Sequence, residues 1–96
     1  MNLMQLTRET FEPLVGTIFE VGAANDTVVA VSLIEVKPLG QGLERESFSL
    51  LFRFPAQINW PQGIRSMRHP DLDTIEMFLV PVGPGKTGVL YEAVFT

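Results

Sequence analysis

The sequence predicts a mainly β fold of about six antiparallel strands, closed as a small barrel or folded as a compact sandwich, with one short N-terminal helix. Runs rich in β-branched and aromatic residues recur along the chain, as strands require. Turn signals of Gly, Pro, Asn and Asp separate these runs about every ten residues, and no helical spacer lies between them. Sequential antiparallel pairing is therefore the economical topology.

The composition predicts one domain, spanning residues 1–96, with an unusually apolar surface. Apolar residues make up 46% of the chain and charged residues 19%. This apolar fraction is high, and this charged fraction low, for a small monomer. It favours a partner protein or a second copy of the chain, in a homo-oligomer, that covers part of the surface.

Charge and residue usage argue against several classes of function. The net charge of −4 disfavours nucleic acid as a partner. The chain has no cysteine, which excludes disulfides and cysteine-ligated metals. It shows neither a signal peptide nor an apolar stretch long enough to span a membrane. We expect a cytoplasmic protein with no membrane partner and no cofactor.

The N-terminal stretch LTRETFEPLVG predicts a helix of one to two turns. Thr7 is a natural N-cap, because its hydroxyl can accept a hydrogen bond from a first-turn amide. Leu6 and Phe11 have the spacing of a hydrophobic staple. Pro13 limits the helix and Gly16 ends it.

Six strands are expected after the helix. They are predicted at 17–21, 27–39, 46–55, 64–69, 74–82 and in the final segment GVLYEAVFT. The connections are GAAND (22–26), the exposed loop GQGLER (40–45), AQINWPQG (56–63) and the turn PDLD (70–73). The second strand is apolar on both faces, so it is central or bent by a β-bulge. The third places Phe48, Leu50, Phe52 and Phe54 on one face and Ser49 on the other.

The GKT triplet at 85–87 has the ending of a phosphate-binding loop but lacks its context. Val80 stands where such a loop needs glycine, and Pro81 and Pro84 remove backbone donors. The segment that follows has a strand pattern, whereas anion binding requires the N-terminus of a helix. The stretch is predicted to be a hairpin loop, with a loose anion site at Lys86 as the alternative.

His69 is the only histidine and precedes Pro70, with Asp71 and Asp73 nearby. A metal site needs three or four converging ligands, and this set gives at most three of mixed type. His-Pro-Asp at a strand end is more typical of a turn, in which Asp71 bonds the backbone two residues on. Any serine mechanism would need His69, yet the sequence has no G-x-S-x-G elbow. We therefore predict no catalytic or metal site.

Two pairs of carboxylates invite comparison with glycoside hydrolysis. Glu44 and Glu46 flank Arg45, which is typical of a solvated charge cluster. Glu76 and Glu92 lie in the last two strands, which we expect to pair. Exposed cross-strand positions are the simpler interpretation, so no catalytic role is assigned.

The candidate binding residues are Trp60, Arg65, Arg68 and His69. A loop tryptophan such as Trp60 is either a lid on the core, which we favour, or an exposed anchor for a partner. Arg65, Arg68 and His69 form the only basic cluster, and this cluster could meet an acidic partner surface.

The chain resembles a family of small bacterial domains of unknown function. The matching stretches are LTRETFEPLVGTIFEV, SFSLLFRFP, PQGIRSMRHPDLDTIEMFLVPVGP and YEAVF. The resemblance implies a helix followed by antiparallel strands and an association with phage-tail-like or secretion systems. It carries over no functional residue. It also implies an aromatic residue in the strand before His69, but residues 64–67 of this chain are Ile, Arg, Ser and Met. Which side chains of that strand point inward is therefore left undecided by the sequence.

Two functional hypotheses follow. The first is a non-enzymatic module that binds another protein or itself through an edge strand or the Trp60 loop. The second is a small-molecule-binding or enzymatic domain, with a pocket lined by the phenylalanine face of the third strand and by Arg68 and His69. The first is favoured because small closed sheets are usually filled by their own side chains.

Overall fold

One short helical segment and six strands follow each other in a computed structural model, which describes residues 6–22, 27–41, 46–85 and 88–96. Helix α1 (Arg8–Phe11) continues into a 3₁₀ turn (Glu12–Leu14). The strands are β1 (Ile18–Gly22), β2 (Val28–Gln41), β3 (Glu46–Phe54), β4 (Gly63–His69), β5 (Leu72–Pro84) and β6 (Val89–Phe95). Within the described ranges, neither helical segment is long and apolar enough to cross a lipid bilayer. The mainly β fold with a short N-terminal helix is confirmed.

The six strands close into a ring in the order β1-β2-β3-β6-β5-β4, and every neighbouring pair is antiparallel. Of the two predicted arrangements, the ring agrees with the closed sheet and not with a sandwich of two sheets. Sequential pairing holds within β1-β2-β3 and within β4-β5-β6 but is wrong between β3 and β4. The connection 55–62 carries the chain across to the far side of β1, which leaves β3 to pair with β6.

Aromatic packing between β3 and β6 accounts for this pairing. The rings of Phe48 and Phe95 stack at 4.8 Å, and Phe52 is the register partner of Tyr91. Such aromatic cross-strand pairs stabilise a sheet beyond the apolar area that they bury. Phe11 of α1 covers this end of the core, with its ring centroid 5.9 Å from that of Phe48.

The helix begins and ends where the sequence predicts. Thr7 is the N-cap residue, and its backbone N–H donates to the hydroxyl of Thr10 at 3.2 Å. Leu6 and Phe11 are fully buried, as the staple requires. Gly16 has a φ of +91°, which favours glycine, and its N–H donates to the carbonyl of Leu33 in β2.

The second and third strands follow their predicted patterns with one difference. The register between β2 and β3 shifts between Leu33 and Glu35, which confirms the β-bulge. The predicted apolar face of β3 is buried, but Ser49 on the opposite face is buried as well. Its neighbours across the sheet, Lys37 and Val94, are in register with it on both sides.

The ends of the predicted strands move by one or two residues. The turn PDLD is tighter than predicted, because only Pro70 and Asp71 lie outside strands. β2 runs on to Gln41 and so includes the first two residues of the predicted loop 40–45; 42–45 and 23–26 lie outside the described residues.

In β4, Met67 and His69 are buried while Ile64 and Arg68 are exposed, which settles the inward face of that strand.

Candidate functional site

His69 lies at the end of β4, and the fold engages both nitrogens of its ring. Its Nδ1 accepts a hydrogen bond from the backbone N–H of Asp71 at 3.0 Å. A ring nitrogen that accepts carries no proton, so in the neutral ring Nε2 holds the proton and donates it to Oγ1 of Thr17, 3.0 Å away. The Thr17 hydroxyl in turn donates to the carbonyl of Leu14 at 2.6 Å.

This network gives His69 a structural setting in the turn. The residue is 9% exposed, and its ring lies 4.7 Å from that of Phe19. The predicted turn is present, but His69 supplies the side-chain bond that we expected from Asp71. With both nitrogens engaged, His69 has no free ring atom to transfer a proton.

Arg68 and His69 border a surface pocket of about 460 Å³, whose other lining residues are Ile18, Glu20 and Pro70. The guanidinium of Arg68 lies 3.9 Å from the carboxylate of Glu20. The pocket thus presents one cation, one anion and an apolar wall. The phenylalanine face of β3 does not line it, contrary to the pocket hypothesis, because those side chains fill the interior of the ring.

Trp60 lies in the β3–β4 connection and is half-buried against the core. Its ring packs edge-on against Phe54 at 5.9 Å. The guanidinium of Arg65 lies over the indole ring, 4.9 Å from its centroid, and donates to the carbonyl of Pro61 at 3.0 Å. Trp60 therefore has the position of the predicted lid. Arg65 belongs to this lid, whereas Arg68 pairs with Glu20, so the predicted basic cluster is divided.

Residues 85–88 connect β5 to β6 as a hairpin, as predicted, and a strand follows them where a phosphate-binding loop would require a helix. Gly85 donates its N–H to the carbonyl of Gly88 at 2.7 Å, which closes the loop. Lys86 and Thr87, and with them the alternative anion site, lie outside the described residues.

The acidic side chains are dispersed around the ring. Glu46 pairs with Arg8 at 3.0 Å, while Glu44 and Arg45 lie outside the described residues. β5 and β6 pair as expected, but Glu92 is opposite Val80 rather than Glu76. In the described part of the chain, no three His, Asp or Glu side chains converge as metal ligands.

A cleft of about 270 Å³ between β5 and β6 is a feature that the sequence analysis missed. Its lining consists of Glu76, Met77 and Phe78 from β5 and residues 93–96 at the end of β6. The two strands pair from Pro84–Val89 to Val80–Glu92, and in the described residues their register stops there. Beyond that point the cleft separates them.

An apolar row crosses the outer face of the ring beside this cleft. Ile64 of β4 and Phe78 of β5 are register partners and are 65% and 51% exposed. Val94, on the β6 side of the cleft, is 52% exposed. The sequence signal for this row is Phe78 itself, because in TIEMFLV it interrupts the polar positions of an otherwise alternating strand.

Comparison with known proteins agrees with the resemblance found in the sequence. Searches of the curated proteins and of the solved structures found no match. The sequence model of one protein family, described as a domain of unknown function (DUF6916), matches residues 6–95. That match spans α1 and all six strands. The chain therefore belongs to the DUF6916 family of domains of unknown function.

Proposed function

We propose that this domain is a non-enzymatic protein-interaction or assembly module that binds through its β4-β5-β6 face. The observation that carries the proposal is the apolar row of Ile64, Phe78 and Val94, three side chains that are each more than half exposed. Single exposed apolar residues are common on protein surfaces. An exposed patch that crosses three neighbouring strands is more typical of an interface.

The chemistry of the polar residues supports the same choice. Both ring nitrogens of His69 are engaged in holding a turn, and the carboxylates of Glu76 and Glu92 are out of register. Binding is therefore the function that the arrangement of side chains favours. The phage-tail-like or secretion-associated setting implied by the family resemblance is consistent with an assembly role and is part of this proposal.

The test compares capture by three variants that carry the same kind of substitution. Ile64→Thr and Phe78→Thr remove the apolar row and keep a residue that suits strands. Ile18→Thr is the matched control, because Ile18 is as exposed as Phe78 but lies on β1. Tagged proteins are incubated with lysate of the source cells, and bound proteins are identified by mass spectrometry. Light scattering measures the oligomeric state of each variant.

We expect the unmodified chain and Ile18→Thr to retain a stoichiometric partner or a defined oligomer. Ile64→Thr and Phe78→Thr should lose it while their circular dichroism stays that of the folded chain. A monomer without a protein partner would contradict the proposal, as would a partner that both row variants retain.

A second candidate function is small-molecule binding in the pocket beside Arg68 and His69. It is favoured by the volume of about 460 Å³ and by the accessible guanidinium of Arg68. A carboxylate-bearing ligand would replace Glu20 as the partner of that guanidinium. A thermal-shift screen of small carboxylic acids on the unmodified chain and on Arg68→Gln tests it. Stabilisation that is lost in Arg68→Gln supports this function.

A further inference from the structure

The β5 edge that faces the cleft pairs with one neighbouring strand only. Within the described residues, Ile75–Leu79 of β5 pair with β4 alone, and Ala93 and Val94 of β6 pair with β3 alone. In an antiparallel strand, the backbone groups of alternate residues point to opposite sides. Part of the N–H and C=O groups of this β5 segment therefore point toward the cleft rather than toward a partner strand.

Proline lies in two other strand segments that pair on one side only. Pro38 lies where β2 pairs with β3 alone, and Pro81 and Pro84 lie where β5 pairs with β6 alone. Proline removes a donor and so makes an edge a poor template for strand pairing. The segment Leu72–Leu79 contains no proline. The edge at the cleft is thus the one on β5 that keeps all its donors.

Side chains on the outer face define what such an edge would accept. Phe78 and Glu76 are two residues apart on β5, and both are exposed beside the cleft. A strand added here would place one outward side chain opposite each of them. An apolar side chain suits the position opposite Phe78, since Val94 of β6 lines the other side of the cleft. A basic side chain suits the position opposite Glu76, which makes no ion pair among the described residues.

We propose that the cleft between β5 and β6 binds an extended segment of another protein by strand addition to β5, and that this segment carries an apolar and a basic residue two positions apart. The proposal rests on the proposed function and specifies its binding mode. A second copy of this chain is a poorer occupant, because its net charge of −4 and its own Glu76 would repel this acidic edge. An added strand of about five residues would cover Ile75–Leu79, which pair with β4 alone.

The first experiment uses a synthetic peptide, acetyl-Thr-Val-Thr-Lys-Thr-Val-amide, and the isotope-labelled chain. Its outward face offers valine and lysine in the required spacing. One comparison peptide has glutamate in place of lysine. Another carries N-methyl groups on alternate backbone nitrogens, which abolishes strand pairing on one edge and leaves the side chains unchanged. Amide chemical shifts and hydrogen exchange of residues 76–78 report binding.

We expect the lysine peptide to shift these amides and to slow the exchange of those that face the cleft. The glutamate peptide should bind about tenfold more weakly or worse, because like charges would then face each other. The N-methylated peptide should leave the exchange unchanged. A lysine peptide that does not affect residues 76–78 would overturn the proposal. Equal binding of the glutamate or the N-methylated peptide would overturn it too.

A pair of charge variants tests the same edge with the natural partner. Glu76→Lys reverses the charge at the cleft, and Glu35→Lys is its matched control, because Glu35 is also exposed on a strand but lies on β2. We expect Glu76→Lys to weaken capture and Glu35→Lys to retain it. One outcome would refute strand addition but leave the proposed function standing. In that outcome, Phe78→Thr abolishes capture, Glu76→Lys does not, and the partner does not slow amide exchange at residues 76–78. Absence of any partner or oligomer would refute the proposed function as well.

Discussion

The hydroxyl of Tyr91 donates a hydrogen bond of 2.6 Å to the backbone carbonyl of Trp60. This bond joins the last strand to the connection that carries the chain from β3 to β4. Tyr91 is buried, and its ring also packs on Phe54 at 4.4 Å. The bond therefore fixes the crossing segment where the topology departs from sequential pairing.

Tyr91→Phe should lower the free energy of unfolding by about 1 kcal/mol, because the carbonyl of Trp60 loses its donor while the packing of the ring is kept. Urea unfolding monitored by circular dichroism measures this cost. Trp60 is the only tryptophan, so its fluorescence reports the lid directly. An unchanged unfolding midpoint together with unchanged emission would show that the bond does not hold the connection in place.

Alkaline pH should destabilise the protein through the same residue. Burial raises the pKa of Tyr91 above its ordinary value of 10.0, against the opposing effect of the Arg65 charge. The folded state thus favours the neutral phenol. Its contribution to stability is complete below the ordinary pKa and is lost as pH rises through the raised one.

The absorbance of tyrosinate measures this shift without interference, since Tyr91 is the only tyrosine. The folded chain should ionise at higher pH than the chain in denaturant. The additional loss of stability above about pH 10 should be absent from Tyr91→Phe. Coincident titrations of the folded and denatured chains would contradict the prediction.

Gly88→Ala should destabilise the fold by about 1 to 3 kcal/mol, the usual range for an overpacked site. A Cβ at Gly88 would collide with the carbonyl oxygen of Phe54 and touch the side chain of Arg53. The last glycine of the loop is thus required by close packing against β3. Gly22→Ala is the control, because a Cβ there meets nothing within 4 Å. Equal unfolding free energies for the two variants would refute this role.

The sequence predicted those features that depend on local pattern. The cap at Thr7, the bulge in β2 and the buried face of β3 follow from residue spacing, which neighbouring backbone geometry decides. The pairing of β3 with β6 depends on aromatic contacts between residues far apart in the chain, such as Phe48 and Phe95, 47 positions apart, which no local pattern encodes. The cleft begins where the pairing of β5 with β6 ends, at Val80 and Glu92. The end of that pairing depends on how the whole ring closes, which is not a local property of the sequence.

His69→Ala should cost about 2 to 4 kcal/mol of stability, since it removes two hydrogen bonds and the packing of the ring on Phe19. Asp71→Ala should change stability by less than about 0.5 kcal/mol, because its backbone N–H, and not its carboxylate, bonds His69. Chemical denaturation of both variants measures the difference. Equal losses for the two would mean that the carboxylate organises the turn.

Thr17→Val separates the two bonds of His69. The substitution keeps the shape of the side chain but leaves Nε2–H of His69 and the carbonyl of Leu14 without the hydroxyl that joins them. We expect a loss of about 1 to 3 kcal/mol. In the double variant with His69→Ala the two losses should not add, because both variants remove the same bond. Full additivity would show that the two residues stabilise the fold independently, and that the bond between the N-terminal segment and the β4–β5 turn contributes nothing.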